Sequence, residues 1–123
     1  VKQRLQALMQ VVPVAQLAVH LHDTRGMGAA NAWAALEAGI RRFDASAGGI
    51  GGCPFAPGAA GNLATEDLVL MAERSGISTG IDLYRLLDAI DFAQDALQRP
   101  LGGRCIAWLR RQADIRARAQ APG

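Results

Sequence analysis

The run at residues 48–62, GGIGGCPFAPGAAGN, constrains this chain more than any other stretch. Six glycines (Gly48, Gly49, Gly51, Gly52, Gly58 and Gly61) and two prolines (Pro54 and Pro57) fall within it. Glycine costs backbone entropy in a regular element and proline removes a hydrogen-bond donor, so neither helix nor strand runs through this segment. The chain is therefore split by a long loop, and long loops between structured segments are more often functional than decorative. Cys53 stands in that loop between Gly52 and Pro54. It lacks the large apolar neighbours of a buried structural cysteine, which favours a reactive thiol.

Around the loop, periodicity predicts alternating strands and helices. Leu5, Leu8, Met9 and Val12 form the stripe of a surface helix that Pro13 ends. Residues 16–22 alternate as a strand, with Leu17, Val19 and Leu21 on one face and Ala18, His20 and His22 on the other. Asp23 or Thr24 suits the cap of a helix over about residues 27–38, closed by Gly39. A second strand is expected over about residues 40–46, with Phe43 and Ala45 opposite Asp44 and Ser46. After the loop, a short segment at 62–64 leads to a helix with Thr65 as N-cap, Glu66 and Asp67 at its positive end, and Gly76 as its stop. Asp82 caps a further helix with the stripe Leu83, Leu86, Leu87, Ile90 and Leu97. Pro100, Gly102 and Gly103 then break the chain before a last helix at about 105–119. Met9, Met27, Trp33 and Met71 lie at helical spacings expected of core residues. The alternation predicts an α/β fold of right-handed βαβ units on a parallel sheet.

A chain of 123 residues, half hydrophobic and one fifth charged, makes one globular domain. The net charge of +2 is small, and its excess is local: Arg104, Arg110, Arg111, Arg116 and Arg118 crowd the last twenty residues. Nucleic-acid binding calls for stacking aromatics or a basic face. Only Trp108 is present there, so a solvated terminal helix is the preferred reading. No apolar run approaches the roughly 20 residues that span a bilayer, and no secretory signal stands out. The two cysteines, Cys53 and Cys105, cannot build a disulfide framework, so a reducing cytoplasm is the expected compartment. Cys105, beside Ile106 and Trp108, reads as structural. The chain starts at Val1 within a helical pattern, as the later part of something longer would.

Two histidines two apart on a strand project from one face, so His20 and His22 can hold one cation or simply be hydrogen-bonded histidines. Their place at a strand's end favours ligation, because parallel α/β folds build their sites at that edge. Asp23 has two readings, orienting an imidazole from behind or capping the next helix. Asn62 offers an amide oxygen to a cation or fixes a turn. Asp44 and Ser46 share the histidine face if the two strands are neighbours, and either line the site or bond within the sheet. A structural zinc site using His20, His22 and Cys53 is disfavoured, since closed zinc sites use tightly spaced ligand pairs on rigid turns.

LAVHLHDTRG at residues 17–26, followed by FDASAGGIGGCPFAPGAAGNLATEDLV at 43–69, closely resembles the carboxy-terminal half of the 3-hydroxy-3-methylglutaryl-CoA lyase family. The likeness covers about residues 1–98, and the cysteine loop is its most specific part. It implies a partial TIM barrel: about three parallel strands with flanking helices, from the last part of a (β/α)8 barrel, over residues 1–101. Residues 102–123 would then be a basic carboxy-terminal helix or tail. The resemblance further implies a divalent Mg or Mn ion held by His20, His22 and Asn62 together with an aspartate on the first barrel strand, which this sequence lacks. Cys53 would be catalytic and close over the substrate, with Gly51 and Gly52 letting the loop shut. His20 is also the candidate general base, and Asp23, Asp44 and Ser46 line or support the site. The implied reaction is cleavage of an acyl-CoA substrate, hydroxymethylglutaryl-CoA, to acetyl-CoA and acetoacetate. Alternatives are a relative cleaving citramalyl-CoA, or a non-catalytic remnant serving as an assembly or ligand-binding module. A full barrel needs about 250 residues, so the expected state is a fragment, a homo-oligomer, or a partner of the missing amino-terminal half.

Overall fold

The computed structural model describes residues 1–52 and 61–123. In chain order the elements are helix α1 (Lys2–Leu8), strand β1 (Val19–His20), helix α2 (Gly28–Glu37), strand β2 (Phe43–Asp44) and helices α3 (Thr65–Arg74), α4 (Leu83–Leu97) and α5 (Ile106–Gln120). Short 3-10 turns occupy Val14–Gln16 and Ala47–Gly49. The two strands pair in parallel, Val19 with Phe43 and His20 with Asp44, and α2 makes the crossover between them. The α/β alternation and the parallel pairing are as the sequence predicts.

The strands are shorter than expected. Residues 16–22 contribute two ladder residues, because Val14–Gln16 coils into the 3-10 turn. The short segment at 62–64 joins the sheet only by single bridges, His22 with Asn62 and Ser46 with Ala64. The segment passes directly into the first turn of α3 at Thr65, which leaves little length for a ladder. Helix α1 likewise ends at Leu8 rather than near Val12. A helix continuing to Pro13 would push its ring against the Met9 carbonyl, and Val11 and Val12 instead bond back to the Leu8 carbonyl in a turn.

The first core lies between α1, α2 and the sheet. Leu5, Val19, Ala35 and Ile40 are buried there, with Leu17, Leu21, Ala38 and Phe43 packed against them. The alternation of β1 thus does what its pattern predicts, turning Leu17, Val19 and Leu21 inward. Met27 and Trp33, expected in the core, are 54% and 40% exposed. Helix α2 buries Ala32, Ala35 and Leu36 instead, so small residues let it lie close to its neighbours. Helix α2 ends with Ala38 as its cap and Gly39 at φ +98°, a left-handed geometry that glycine adopts without strain. Thr65 is the first helical residue of α3 rather than its cap, which is Ala64.

Beyond α3, helix α4 packs on α3 and helix α5 on α4. The basic helix α5 is solvated over most of its surface, yet it docks through Leu109, 2% exposed. Arg110 bonds Asp91 at 2.6 Å and Gln94 at 3.3 Å on α4. Arg116 lies over the Tyr84 ring, and Arg74 of α3 over Trp108. These arginines are therefore committed to neighbouring helices rather than forming one free basic face.

Leu109→Ala is expected to destabilise the protein by about 2–5 kcal/mol, the range for a large core truncation; a change under about 0.5 kcal/mol in denaturant unfolding would mean that α5 is independent of the fold. Asp82 caps α4 by accepting from the Tyr84 and Arg85 amides at 2.8 and 3.2 Å. The Arg85 amide, then the Tyr84 amide, hold its carboxyl below the usual carboxylate range. Stability from this cap is present at neutral pH and lost as pH falls through the depressed folded value. Asp82→Ala should therefore lower Tm at pH 7 and make the fall in Tm below pH 4 shallower; an unchanged acid limb would contradict it.

Candidate functional site

The two imidazoles stand on one face of β1 and its extension, away from the apolar core. Their ring centroids are 5.1 Å apart at an interplanar angle of 68°. His20 Nδ1 lies 3.1 Å from Asp44 Oδ2, a contact that the register places directly across the parallel pair. With the proton on Nδ1, Asp44 accepts it and the lone pair of His20 is left on Nε2. Asp44 thus shares the histidine face and backs one ring.

Asn62 reaches the same edge from the far side of the glycine run. Leu63 N–H donates to the Leu21 carbonyl and Asp23 N–H to the Gly61 carbonyl, both at 2.9 Å, which lays Asn62 beside His22. The Asn62 amide nitrogen donates to the Ile50 carbonyl at 3.0 Å, which fixes the side chain and leaves its oxygen as the acceptor on offer. The base of the loop is closed at the same point. A methyl group on Gly61 would strike the Gly51 carbonyl, and one on Gly51, at φ +127°, would stand 2.6 Å from the Asn62 amide nitrogen. Cys53 lies outside the described residues, and Gly52 is the last residue described before it.

Asp23 has its two carboxylate oxygens engaged elsewhere than on an imidazole. Oδ1 accepts the Gly28 amide at the start of α2 at 2.8 Å, and Oδ2 accepts Arg104 Nε at 2.6 Å. The N-cap of α2 is Met27 rather than Asp23 or Thr24, although Asp23 accepts the first helical amide, and the carboxylate directly across from His20 is that of Asp44. Ser46 is engaged through its backbone, its amide bonding the Leu63 carbonyl and its carbonyl receiving the Gly49 and Thr65 amides.

Three residues beside the site make long-range contacts that the sequence reading does not anticipate. Glu66, fully buried, accepts the Gly48 amide at 3.0 Å and the Gly103 amide at 2.7 Å. Asp67 accepts the Arg104 and Cys105 amides, each at 2.8 Å. Arg104 looked like one more solvated tail cation. With Asp23 and Asn62 these segments line a cleft of about 310 Å³ whose walls include Gly48, Gly49, Gly102 and Gly103. Among the described residues no group of three or more His, Cys, Asp and Glu side chains is gathered as a metal site. The local donors are two imidazoles and one amide oxygen.

Residues 1–93 match the HMGL-like family. The chain belongs to that family. It is 55% identical over 98 residues to the human protein named hydroxymethylglutaryl-CoA lyase, mitochondrial, a match covering 80% of this chain and 30% of that protein. The crystal structure of the Bacillus subtilis HMG-CoA lyase superposes with a TM-score of 0.84 at 45% identity, over 89% of this chain and 37% of that one. An HMG-CoA lyase from Acinetobacter baumannii, solved in complex with coenzyme A and 3-methylmalate, superposes with a TM-score of 0.77 at 45% identity, over 85% of this chain and 34% of that one. The chain spans about a third of the length of these relatives. The Bacillus match exceeds what residues 1–101 alone provide, so part of 102–123 has a structural counterpart there despite its lack of sequence likeness.

Cys105 is held as a neutral thiol: burial first, and then its hydrogen bond to Asp67, push it well above the ordinary thiol range. A Cys53→Ser protein, in which Cys105 is the sole thiol, should react with a disulfide reagent at pH 8 at least about tenfold more slowly when folded than when unfolded. Equal rates would show that Cys105 is open and ionisable.

Proposed function

We propose that this chain is the metal-site portion of a hydroxymethylglutaryl-CoA lyase and works as part of a closed (β/α)8 barrel whose other strands are supplied by further sequence or by another polypeptide. The observation that supports this most is the placement of His20, His22 and Asn62 together at the carboxyl end of a parallel strand pair, the edge at which barrel enzymes build their sites. The likeness to lyases at 45–55% identity supports the reaction class. Coenzyme A and 3-methylmalate in the Acinetobacter protein support an acyl-CoA carrying a branched hydroxy acid.

The donor chemistry fits a divalent ion. Imidazoles suit transition metals and amide oxygens suit harder cations, so the mixed set favours Mn over Mg. His20, His22 and Asn62 would hold it, and when bound it would polarise the substrate's tertiary hydroxyl and steady a carboxylate. Asp44 fixes the His20 ring through Nδ1, which leaves Nε2 as the working nitrogen. One nitrogen serves as ligand or as proton acceptor, not as both at once. We assign it to ligation, because His22 shares its face, and the general-base role first expected of His20 gives way to that assignment. The tertiary hydroxyl gives its proton to solvent water or to a base supplied by the rest of the barrel; as the carbon–carbon bond breaks, the hydroxyl carbon becomes the ketone of acetoacetate and the departing carbon becomes the enolate of acetyl-CoA. The Cys53 thiol gives that carbon its proton. Asp44 supports one ligand, and Asp23 and Ser46 hold the strand ends in place.

Two measurements test this. Mn titrated into the protein should bind, and His22→Ala or His20→Ala should weaken binding by about tenfold or more; affinity indifferent to both substitutions would overturn the assignment. In a lyase assembly containing this chain, Cys53→Ser should lower kcat by about 100-fold with Mn affinity unchanged, whereas full turnover would favour a non-catalytic remnant.

A further inference from the structure

Asp23 touches both sides of the proposed ligand set. It follows His22 directly in the chain, and its amide donates to the carbonyl of Gly61, the residue before Asn62. A displacement of Asp23 therefore moves His22 through the covalent chain and Asn62 through the hydrogen bond. Its carboxylate is 8% exposed as a residue and fully engaged, with Oδ1 on the Gly28 amide and Oδ2 on Arg104 Nε. Charge-assisted bonds of this length are about twice as strong as neutral ones.

Arg104 is itself anchored. Its amide is held by Asp67 at 2.8 Å, between Gly103, whose amide is held by buried Glu66, and Cys105, whose amide is also held by Asp67. The guanidinium thus extends from a backbone fixed on α3 across the cleft to Asp23. We propose that Arg104 is a positioning residue: through Asp23 it sets the separation of His22 and Asn62, so that the connection into α5 tunes the affinity of the cation site without contributing a ligand. This deepens the functional reading above and rests on it.

The exposed side of the pair makes it easy to break without unfolding the protein. The experiment measures Mn affinity by electron paramagnetic resonance, with Tm in parallel, for wild type, Arg104→Gln, Arg104→Lys, Asp23→Asn, the Asp23→Asn/Arg104→Gln double variant, and Leu109→Ala. Arg104→Gln is expected to weaken Mn about tenfold, the scale for residues that orient ligands from behind, and Arg104→Lys to restore most of it. The double variant should bind as Asp23→Asn does, because Arg104 acts only through that carboxylate. Leu109→Ala, which loosens α5 without touching the pair, should lower Tm and leave Mn affinity unchanged below the transition. If Arg104→Gln binds Mn as wild type does while His22→Ala does not, the positioning role is overturned and the metal assignment stands. If His22→Ala also binds normally, the metal assignment itself fails. Equal losses in Leu109→Ala and Arg104→Gln would reduce Arg104 to a stability element and overturn the inference.

Discussion

The Glu66 carboxylate holds the rest of the structure to its shape. A charged group taken fully out of water is costly unless it is hydrogen-bonded, and here each oxygen receives a backbone amide, from Gly48 and from Gly103. Its position in the first turn of α3 adds the positive end of that helix. The arrangement joins three stretches far apart in sequence: the turn after β2, the start of α3 and the connection into α5. Leaving either amide buried without an acceptor costs about 1–3 kcal/mol, as much as a good helix cap contributes. Asp67 then extends the same anchor by one residue, accepting from Arg104 and Cys105 as α5 begins.

Both walls of the cleft descend from that anchor. On one side, the Gly48–Gly49 turn sets the path of Ile50, whose carbonyl takes the Asn62 amide. On the other, the fixed backbone at 103–105 lets Arg104 reach Asp23. The imidazoles come from a different source, the sheet, where the register puts His20 across from Asp44. The candidate site is thus a meeting of two independently organised parts: a strand pair carrying nitrogen ligands, and a helix start arranging the loop that carries the amide. The bridge between His22 and Asn62 and the bond from Asp23 to Gly61 are where the two parts join.

Period and punctuation made much of this legible in the sequence. The two-residue alternation of 17–22 placed His20 and His22 opposite the apolar face, and the same alternation put Asp44 beside them once the strands were neighbours. Asp82 as cap and Gly39 after α2 followed from local chemistry alone. Strand lengths did not, because a ladder's extent depends on what lies beside it, and the 62–64 segment had room only for bridges. The surface placement of Met27 and Trp33 was hidden for a similar reason: α2 packs through alanines, and helical spacing by itself does not say which stripe turns inward. Glu66 and Asp67 were read for their charge near a helix dipole, which is local. Their acceptors serve amides 18 and 37 or 38 residues away, and no local pattern encodes that.

The glycine run illustrates how one composition can conceal two physical tasks. As sequence, its glycines look like a single device for flexibility. In the structure, those at the base are selected for close approach. Gly61 has no room for a side chain against the Gly51 backbone, and Gly51 adopts φ +127° with the Asn62 amide where a methyl group would stand. These two positions are tight rather than loose, and they pin the ends of the loop together beside the residue proposed to bind the cation. The glycines that supply this base do so by being small, not by being flexible.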